Sequence, residues 1–350
     1  MNPRDDTAQA TDQLDWPNLE AWLRGHIPEL DGDMEVAQFT GGHANLTYCV
    51  SFGDQDLVVR RPPFGEIPRG AHDMAREHRV LSGLNPVFDR APKALGFCDD
   101  ESIIGAPFLV VERRTGVVIR GAIPDSLGHL PDVEQRLSAA LVDALAEFHG
   151  VEPGEAGLDR LGRPEGFLDR QLAGWHDRWQ QAAPEPMPVF DAVHARLVAA
   201  RPGRSRTSLV HNDFKFDNCM FAPGDPDRVT SIFDWDMATL GDPLIDLGTV
   251  LSYWKDPDDE IERSPTVDLD MTGFATRAEV IERYAAAGHC VDHIDWYEAF
   301  ATWKLAVVLQ QLFNRFVAGH TEDDRLGRLG QHVLPLAEHA HDMLAARPRG

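Results

Sequence analysis

The 350-residue chain carries 33 Lys and Arg against 57 Asp and Glu, which gives a formal net charge of −24. Such a charge repels phosphate backbones and argues against nucleic-acid binding, and no apolar run approaches the roughly 18 residues of a membrane span. Four scattered cysteines without a CxxC pair argue against a thiolate zinc site and a disulfide framework. Together with a polar N-terminus that lacks the pattern of a signal peptide, they predict a cytoplasmic protein.

The first third of the chain has the pattern of a β-rich lobe. The segments "EVAQFTGG" and "NLTYCVSF" predict two strands joined by a glycine turn, and "DLVVRRPP" predicts a third strand that ends at its prolines. A predicted helix around "AHDMAREHRVLSGL" and a strand pair ending in "PFLVVERRTG" follow. We therefore predict a polar, partly disordered tail over residues 1–24 and a nucleotide-binding lobe over residues 25–115.

The rest of the chain, residues 116–350, has the pattern of a helical lobe. In "RLSAALVDALAEFH", Leu137, Leu141 and Leu145 recur at helical spacing. The segment "HIDWYEAFATWKLAVVLQQLFNRFVAG" predicts a long helix near the C-terminus, with another after it. Between these helices, "CMF" and "VTSIF" are apolar enough to pair as a hairpin.

A dense group of polar residues, "HNDFKFDN" at 211–218, stands beside a predicted strand. The hairpin would bring Asn218 near Asp234, which ends "VTSIF", and their amide and carboxylate oxygens suit Mg²⁺. Asp213 would then be left to accept a proton, and Lys215 would add a positive charge. These are the parts of a phosphoryl-transfer site. The alternative is a polar turn bonded to its own backbone, which the position of Asp234 after an apolar strand disfavours.

The same segment resembles the catalytic loop of protein kinases, and "IFDWD" stands where those enzymes carry D-F-G. With "GDPLIDLG" at 241–248, the chain is more specifically similar to the aminoglycoside phosphotransferases, or choline kinase-like phosphotransferases. "GGHANLTY", "VVRRPP" and "LGRPEGFLDRQ" resemble a subgroup that is fused to acyl-CoA dehydrogenase in animals. The resemblance implies an α+β, protein kinase-like two-lobe fold that binds ATP and Mg²⁺ and phosphorylates a small-molecule hydroxyl.

The resemblance also implies residues of the N-terminal lobe that bind nucleotide. Gly41 and Gly42 would form the turn over the ATP phosphates, with Asn45 beside them. Arg60 occupies the position of the usual phosphate-binding lysine, and Glu77 would be its helix partner. Arg61 is the alternative to Arg60, because strand register cannot be derived from sequence alone. The hinge, with Glu112 and Arg113 and ending near Arg114, would bond adenine through its backbone.

Further residues are expected to support the site. His211 is expected to be structural, and Asp246 is implied to brace the backbone of the catalytic loop. Asp242 followed by Pro243 predicts a helix start. Because this start comes so soon after Asp234, no long activation segment fits between them, which disfavours a protein kinase.

Two questions about function stay open at the level of sequence. A non-catalytic nucleotide-binding pseudokinase is the alternative to an enzyme, favoured only by arginine at position 60. The subgroup resemblance favours a hydroxyacyl acceptor such as a CoA thioester, whereas the acidity of the chain favours a cationic aminoglycoside or amino alcohol. The oligomeric state is not indicated.

Overall fold

The computed structural model describes residues 7–9, 14–39, 45–64, 73–203, 206–263, 265–266, 269–321 and 323–345. The chain divides into two compact units. The N-terminal unit runs to Gly116 and also includes residues 154–158 and 230–238, and the remainder forms the C-terminal unit. The second of these added segments carries Asp234 into the N-terminal unit. Within the described residues, no helix has the length and apolar character of a membrane span.

An antiparallel sheet dominates the N-terminal unit. Its strands are β1 (Thr7–Gln9), β2 (Met34–Phe39), β3 (Leu46–Phe52), β4 (Gln55–Arg61), β5 (Ala94–Cys98) and β6 (Phe108–Glu112). They lie in the order β1-β2-β3-β4-β6-β5. Two helices accompany the sheet, α1 (Trp16–His26) and α2 (Met74–Leu84). The predicted strands from β2 to β6 and the predicted helix α2 are confirmed.

Helix α1 corrects the interpretation of residues 1–24 as a tail. The Asp15 side chain accepts a hydrogen bond from the backbone N–H of Asn18 at 3.1 Å and caps the helix. Leu19 and Leu23 are fully buried in one apolar cluster with strands β3 and β4. The tail interpretation is therefore wrong from Leu14 onward, because this short helix buries an apolar face that a polar composition conceals, and it is also wrong at β1, which pairs with β2.

The C-terminal unit is mostly helical, as predicted. Its helices are α3 (Asp125–Gly128), α4 (Val133–Gly150), α5 (Phe167–Ala182), α6 (Pro188–Ala199), α7 (Leu244–Tyr253), α8 (Arg277–Ala286), α9 (Ile294–Val317) and α10 (Gly330–Ala345). The long helix α9 packs against α7 and α10. Helix α7 starts directly after Pro243, where the Asp242 carboxylate accepts the Leu244 backbone N–H at 3.1 Å.

Short strands connect these helices. They are β7 (Val117–Val118), β8 (Ser208–Val210), β9 (Cys219–Ala222), β10 (Asp225–Ile232) and β11 (Thr239–Gly241). β8 pairs with β11, and β9 lies between β10 and β7. The predicted pairing of "CMF" with "VTSIF" as a hairpin is thus confirmed.

A buried ionic network ties the segment before α8 to α9 and α10. Arg263 binds Glu298 at 3.0 Å and Asp259 at 3.2 Å, and Arg277 binds Glu298 at 3.3 Å. The Arg263 guanidinium also donates to Nε2 of His339 at 2.6 Å. Burial and, to a smaller extent, the charge of Arg263 lower the pKa of His339 to about 4, against the opposing effects of Asp259 and Asp342. His339 is therefore a neutral acceptor in the folded protein.

We expect this histidine to make folding stability depend on pH. Its folded pKa of about 4 lies below the ordinary 6.5, so the unfolded chain takes up the proton first as pH falls. Stability should therefore decrease as pH falls from about 6.5 towards about 4. The variant His339→Gln keeps an acceptor for Arg263 but cannot titrate. Urea unfolding at about pH 7.5 and about pH 5 should show a smaller loss in the variant than in the wild type. Equal losses would contradict a neutral, half-buried His339.

Candidate active site

The loop after β8 carries the polar residues singled out by the sequence. β8 is buried and joined to α4 by a hydrogen bond from the Ser208 hydroxyl to the His149 carbonyl at 3.0 Å. Phe214 and Phe216 are buried and anchor the loop from within. A short 3₁₀ turn at Phe216–Asn218 leads directly into β9. Two strands and two aromatic anchors thus hold the loop at both ends.

Asp246 of α7 braces the start of this loop. Its two carboxylate oxygens accept the backbone N–H groups of His211 and Asn212, each at 2.6 Å. His149 adds a third contact at 3.1 Å. Burial by itself would raise the pKa of Asp246, but the hydrogen bonds and charges of His149 and His211 hold the pKa below its ordinary value. Asp246 is fully buried, and its predicted bracing role is confirmed.

Asp213 is held by one oxygen only. Its Oδ2 accepts from the Asn218 side-chain amide at 3.0 Å and from the Lys215 ammonium at 3.1 Å. Its backbone N–H donates to Nδ1 of His211 at 3.3 Å, so this buried histidine contributes to the loop structure. Within the described part of the chain, Oδ1 has no protein donor. The carboxylate is 26% exposed, and one oriented oxygen can thus meet a substrate hydroxyl.

Lys215 lies between acidic groups. Besides Asp213, its ammonium is 3.8 Å from the Asp217 carboxylate and 5.6 Å from the centre of the Tyr253 ring. Burial would lower the pKa of Lys215, but the charge of Asp213, with Tyr253 and Asp217, holds the pKa above its ordinary value. Lys215 also lines a small apolar pocket with Phe216 and Tyr253. The lysine is therefore charged, and its contact with Asp213 orients that carboxylate.

The Asn218 side chain is oriented by the same carboxylate. Its Nδ2 donates to the Asp213 carbonyl at 2.8 Å as well as to Oδ2. The amide oxygen is therefore turned away from Asp213, as an oxygen ligand of a hard cation requires. Among the described residues, no group of three or more His, Cys, Asp or Glu is arranged to hold a metal ion.

Arg60 pairs with Glu77 in the N-terminal unit, as predicted. Its Nε is 3.2 Å from the Glu77 carboxylate, and a terminal nitrogen donates to Oδ1 of Asp234 at 2.9 Å. Asp234 follows the end of β10 after Phe233 and has a left-handed φ of 68°. Burial would lower the pKa of Arg60, but the charges of Glu77 and Asp234 raise it above its ordinary value. Arg60 is therefore a charged group shared by two acids, and its contact with Asp234 was not predicted.

The register of β4 distinguishes Arg60 from Arg61. Leu57, Val59 and Arg61 are buried on one face of the strand, whereas Val58 and Arg60 alternate with them. Arg61 donates to the carbonyls of Pro62 and Ile104, each at 3.0 Å. Arg61 therefore lies on the face of β4 opposite to Arg60, and of the two alternatives it is Arg60 that pairs with Glu77.

The remaining residues expected to bind nucleotide are in the glycine turn and the hinge. Gly41 and Gly42 lie outside the described residues. Asn45 is buried at the start of β3. The Glu112 backbone N–H already donates to the Lys93 carbonyl at 2.9 Å, and Arg113 binds Asp56 at 2.6 Å. A backbone donor for adenine would therefore have to follow Glu112, and the hinge assignment stays a prediction.

Some residues beside the catalytic loop were missed by sequence reasoning. Lys304 of α9 donates to the Asn212 carbonyl at 3.0 Å, one peptide unit from Asp213. Trp175 and Arg178 of α5 lie next to it. The available signal was a single lysine inside the otherwise apolar segment "ATWKLAVVLQQ". Lone charges on an apolar helix often have a partner in the fold, but the partner is not visible in sequence.

The β-rich unit, the helical unit and the loop that follows β8 define an α+β protein of the protein kinase-like class. Residues 35–300 match the model of a protein family described as "Phosphotransferase enzyme family". The chain is a member of this phosphotransferase family, which confirms the resemblance inferred from its motifs.

Individual relatives agree with this membership. The chain is 30% identical to rat (Rattus norvegicus) acyl-CoA dehydrogenase family member 11 over 97% of its own length and 44% of the relative. It spans less than half the length of the curated relatives it matches, between 30% and 44%. These names confirm the resemblance to the subgroup fused to acyl-CoA dehydrogenase.

Solved structures give the same class. A "putative aminoglycoside phosphotransferase" from Ralstonia eutropha JMP134 is 28% identical, with a TM-score of 0.79, and the match covers 95% of this chain and 98% of that one. A thermostable variant of the aminoglycoside phosphotransferase APH(4)-Ia, in a ternary complex with AMP-PNP and hygromycin B, is 16% identical with a TM-score of 0.58. That match covers 89% and 94% of the two chains and supports the fold alone.

Proposed function

We propose that this protein is a small-molecule kinase that uses ATP and Mg²⁺ to phosphorylate a hydroxyl group. The observation that carries the proposal is the geometry of Asp213. One of its oxygens is held by Asn218 and Lys215, and the other is open to an acceptor. The loop that carries it is braced by buried Asp246. Such positioning is the main protein contribution to phosphoryl transfer.

In the proposed reaction, Oδ1 of Asp213 accepts the proton of the acceptor hydroxyl. The hydroxyl oxygen forms a bond to the γ-phosphorus, the bond between that phosphorus and the β,γ-bridging oxygen breaks, and ADP leaves. Arg60 would bind nucleotide phosphates while keeping its contacts with Glu77 and Asp234. Asn218 and Asp234 are the proposed Mg²⁺ ligands, and the metal would neutralise charge on the phosphates. Gly41, Gly42, Asn45 and the hinge stay predicted nucleotide contacts.

A screen of hydroxylated metabolites tests the proposal. With ATP and Mg²⁺, the wild type should release ADP in the presence of at least one compound, and Asp213→Ala should not. The parallel measurement is ATP affinity by calorimetry with and without Mg²⁺. A wild type that binds ATP but phosphorylates nothing would support the pseudokinase alternative. A wild type that does not bind ATP would contradict both functions.

A further inference from the structure

Two cationic side chains flank one tryptophan beside the catalytic loop. The Lys304 ammonium lies 5.3 Å from the centre of the Trp175 ring, and the Arg178 guanidinium lies 4.4 Å from it. Trp175 is buried, and its indole N–H donates to Gln171 at 3.1 Å. Both cations therefore lie against an aromatic surface that attracts them and holds them in place.

Neither cation has a carboxylate partner among the described residues. By contrast, two other arginines of the same unit have carboxylate partners: Arg136 binds Asp227 at 2.7 Å and Arg283 binds Asp143 at 2.6 Å. The only acceptor for Lys304 in the described part of the chain is the Asn212 carbonyl. An ammonium has three N–H donors, so two of them stay available to a ligand. In a chain with a net charge of −24, unpaired cations here are notable.

The electrostatics of the pair favour an added negative charge. Burial lowers the pKa of Lys304, the charges of Asp213 and Asp246 oppose this, and the smaller effects of Arg178 and Lys215 lower the pKa again. Burial also lowers the pKa of Arg178. Two like charges near each other repel, and an anion between them would relieve the repulsion. The position matters as well, because Lys304 binds the peptide unit that precedes Asp213.

We propose that Lys304, Arg178 and Trp175 form a subsite for an anionic group of the phosphoryl acceptor. The acceptor would be a hydroxylated anion whose carboxylate or phosphate binds these cations while its hydroxyl meets Asp213. This deepens the proposed kinase function and rests on it. It excludes a polycationic aminoglycoside or an amino alcohol at this position, since the two cations would repel the positive charge of either.

Ligand-observed NMR tests the subsite without requiring turnover. The probes are glycerate, glycerol 3-phosphate and the neutral glyceramide, which share a diol and differ in charge. We expect the wild type to bind at least one of the two anions. Its affinity for glyceramide should be at least about tenfold lower, the usual effect of losing a charge-assisted contact. The two anions distinguish a carboxylate from a phosphate. Equal binding of glyceramide, or no binding of either anion, would overturn the subsite.

Matched variants assign the binding to these residues. Arg178→Leu removes a cation that makes no described hydrogen bond to the loop, so folding should be preserved, and anion affinity should fall about tenfold. Lys304→Met should lower the anion affinity by a similar factor, although this variant also loses the hydrogen bond to the Asn212 carbonyl. Arg283→Leu removes a surface arginine of the same unit and should bind as the wild type does. Unchanged anion affinity in Arg178→Leu and Lys304→Met would contradict the proposal, even if the kinase activity itself were established.

Discussion

Replacing Asp213 with asparagine should lower turnover by about 10²- to 10⁴-fold, the usual range for loss of a general base, with ATP affinity nearly unchanged. The asparagine amide oxygen can still accept from Asn218 and Lys215, as Oδ2 of Asp213 does. The amide nitrogen would then occupy the place of Oδ1, and it cannot take a proton from a hydroxyl. Turnover with an acceptor from the metabolite screen, and ATP affinity by calorimetry, are the two measurements.

Asp217→Asn is the matched control for this substitution. It removes the same charge from the same loop and from the same neighbour, because Asp217 lies 3.8 Å from Lys215. Asp217 is not positioned as the base, so its variant should keep most of the turnover. An equal loss in both variants would mean that the charge balance around Lys215, and not proton transfer, is responsible. A fall in ATP affinity as large as the fall in rate would equally contradict the role of Asp213.

Replacing Arg60 with methionine should destabilise the protein by about 3–5 kcal/mol, because it leaves a buried acid without its cation. Glu77 is only 2% exposed and binds Arg60 at 3.2 Å. Asp234 loses a partner too, but at 30% exposure it can be hydrated. Urea unfolding measures the loss. Arg60→Lys should keep part of the stability and part of the ATP affinity, since it keeps the charge but not the planar fork that reaches both acids.

A double variant separates the structural role of Arg60 from its proposed role in nucleotide binding. Arg60→Met with Glu77→Leu replaces the buried pair by apolar groups, which should restore most of the stability. ATP affinity should nevertheless stay low, because no cation is left at this position for the phosphates. Arg61→Met should bind ATP nearly as the wild type does, since Arg61 points to the other face of β4. A stable double variant with wild-type ATP affinity would show that Arg60 serves the fold alone.

Much of the fold could be predicted because its signals are local. Buried and less buried residues alternate along β4, and α4 repeats its leucines at helical spacing, so neighbouring residues alone indicate the element. Helix α1 was missed although Asp15 and Pro17 are typical of a helix start. Its few apolar residues become informative only when the sheet they cover is known.

The candidate site was likewise predictable where its contacts are local in the chain. Asp213, Lys215 and Asn218 lie within one short loop, and their mutual contacts follow from that closeness. The bracing of the loop by Asp246 and the pairing of Arg60 with Glu77 were reached by resemblance to a family. In both cases the structure confirms the contact, whereas binding of nucleotide and metal stays a prediction.

By itself, the sequence determined the candidate catalytic loop, the order of most strands and helices, and membership of a phosphotransferase family, because motif spacing and periodicity are properties of neighbouring residues. Only the tertiary structure decided that Arg60 also binds Asp234, that Arg61 faces the opposite side of the sheet, and that Lys304 reaches the carbonyl next to Asp213. These contacts join residues that are far apart in the chain. Their partners depend on strand register and helix packing, which are set by burial of the whole chain and not by any local pattern.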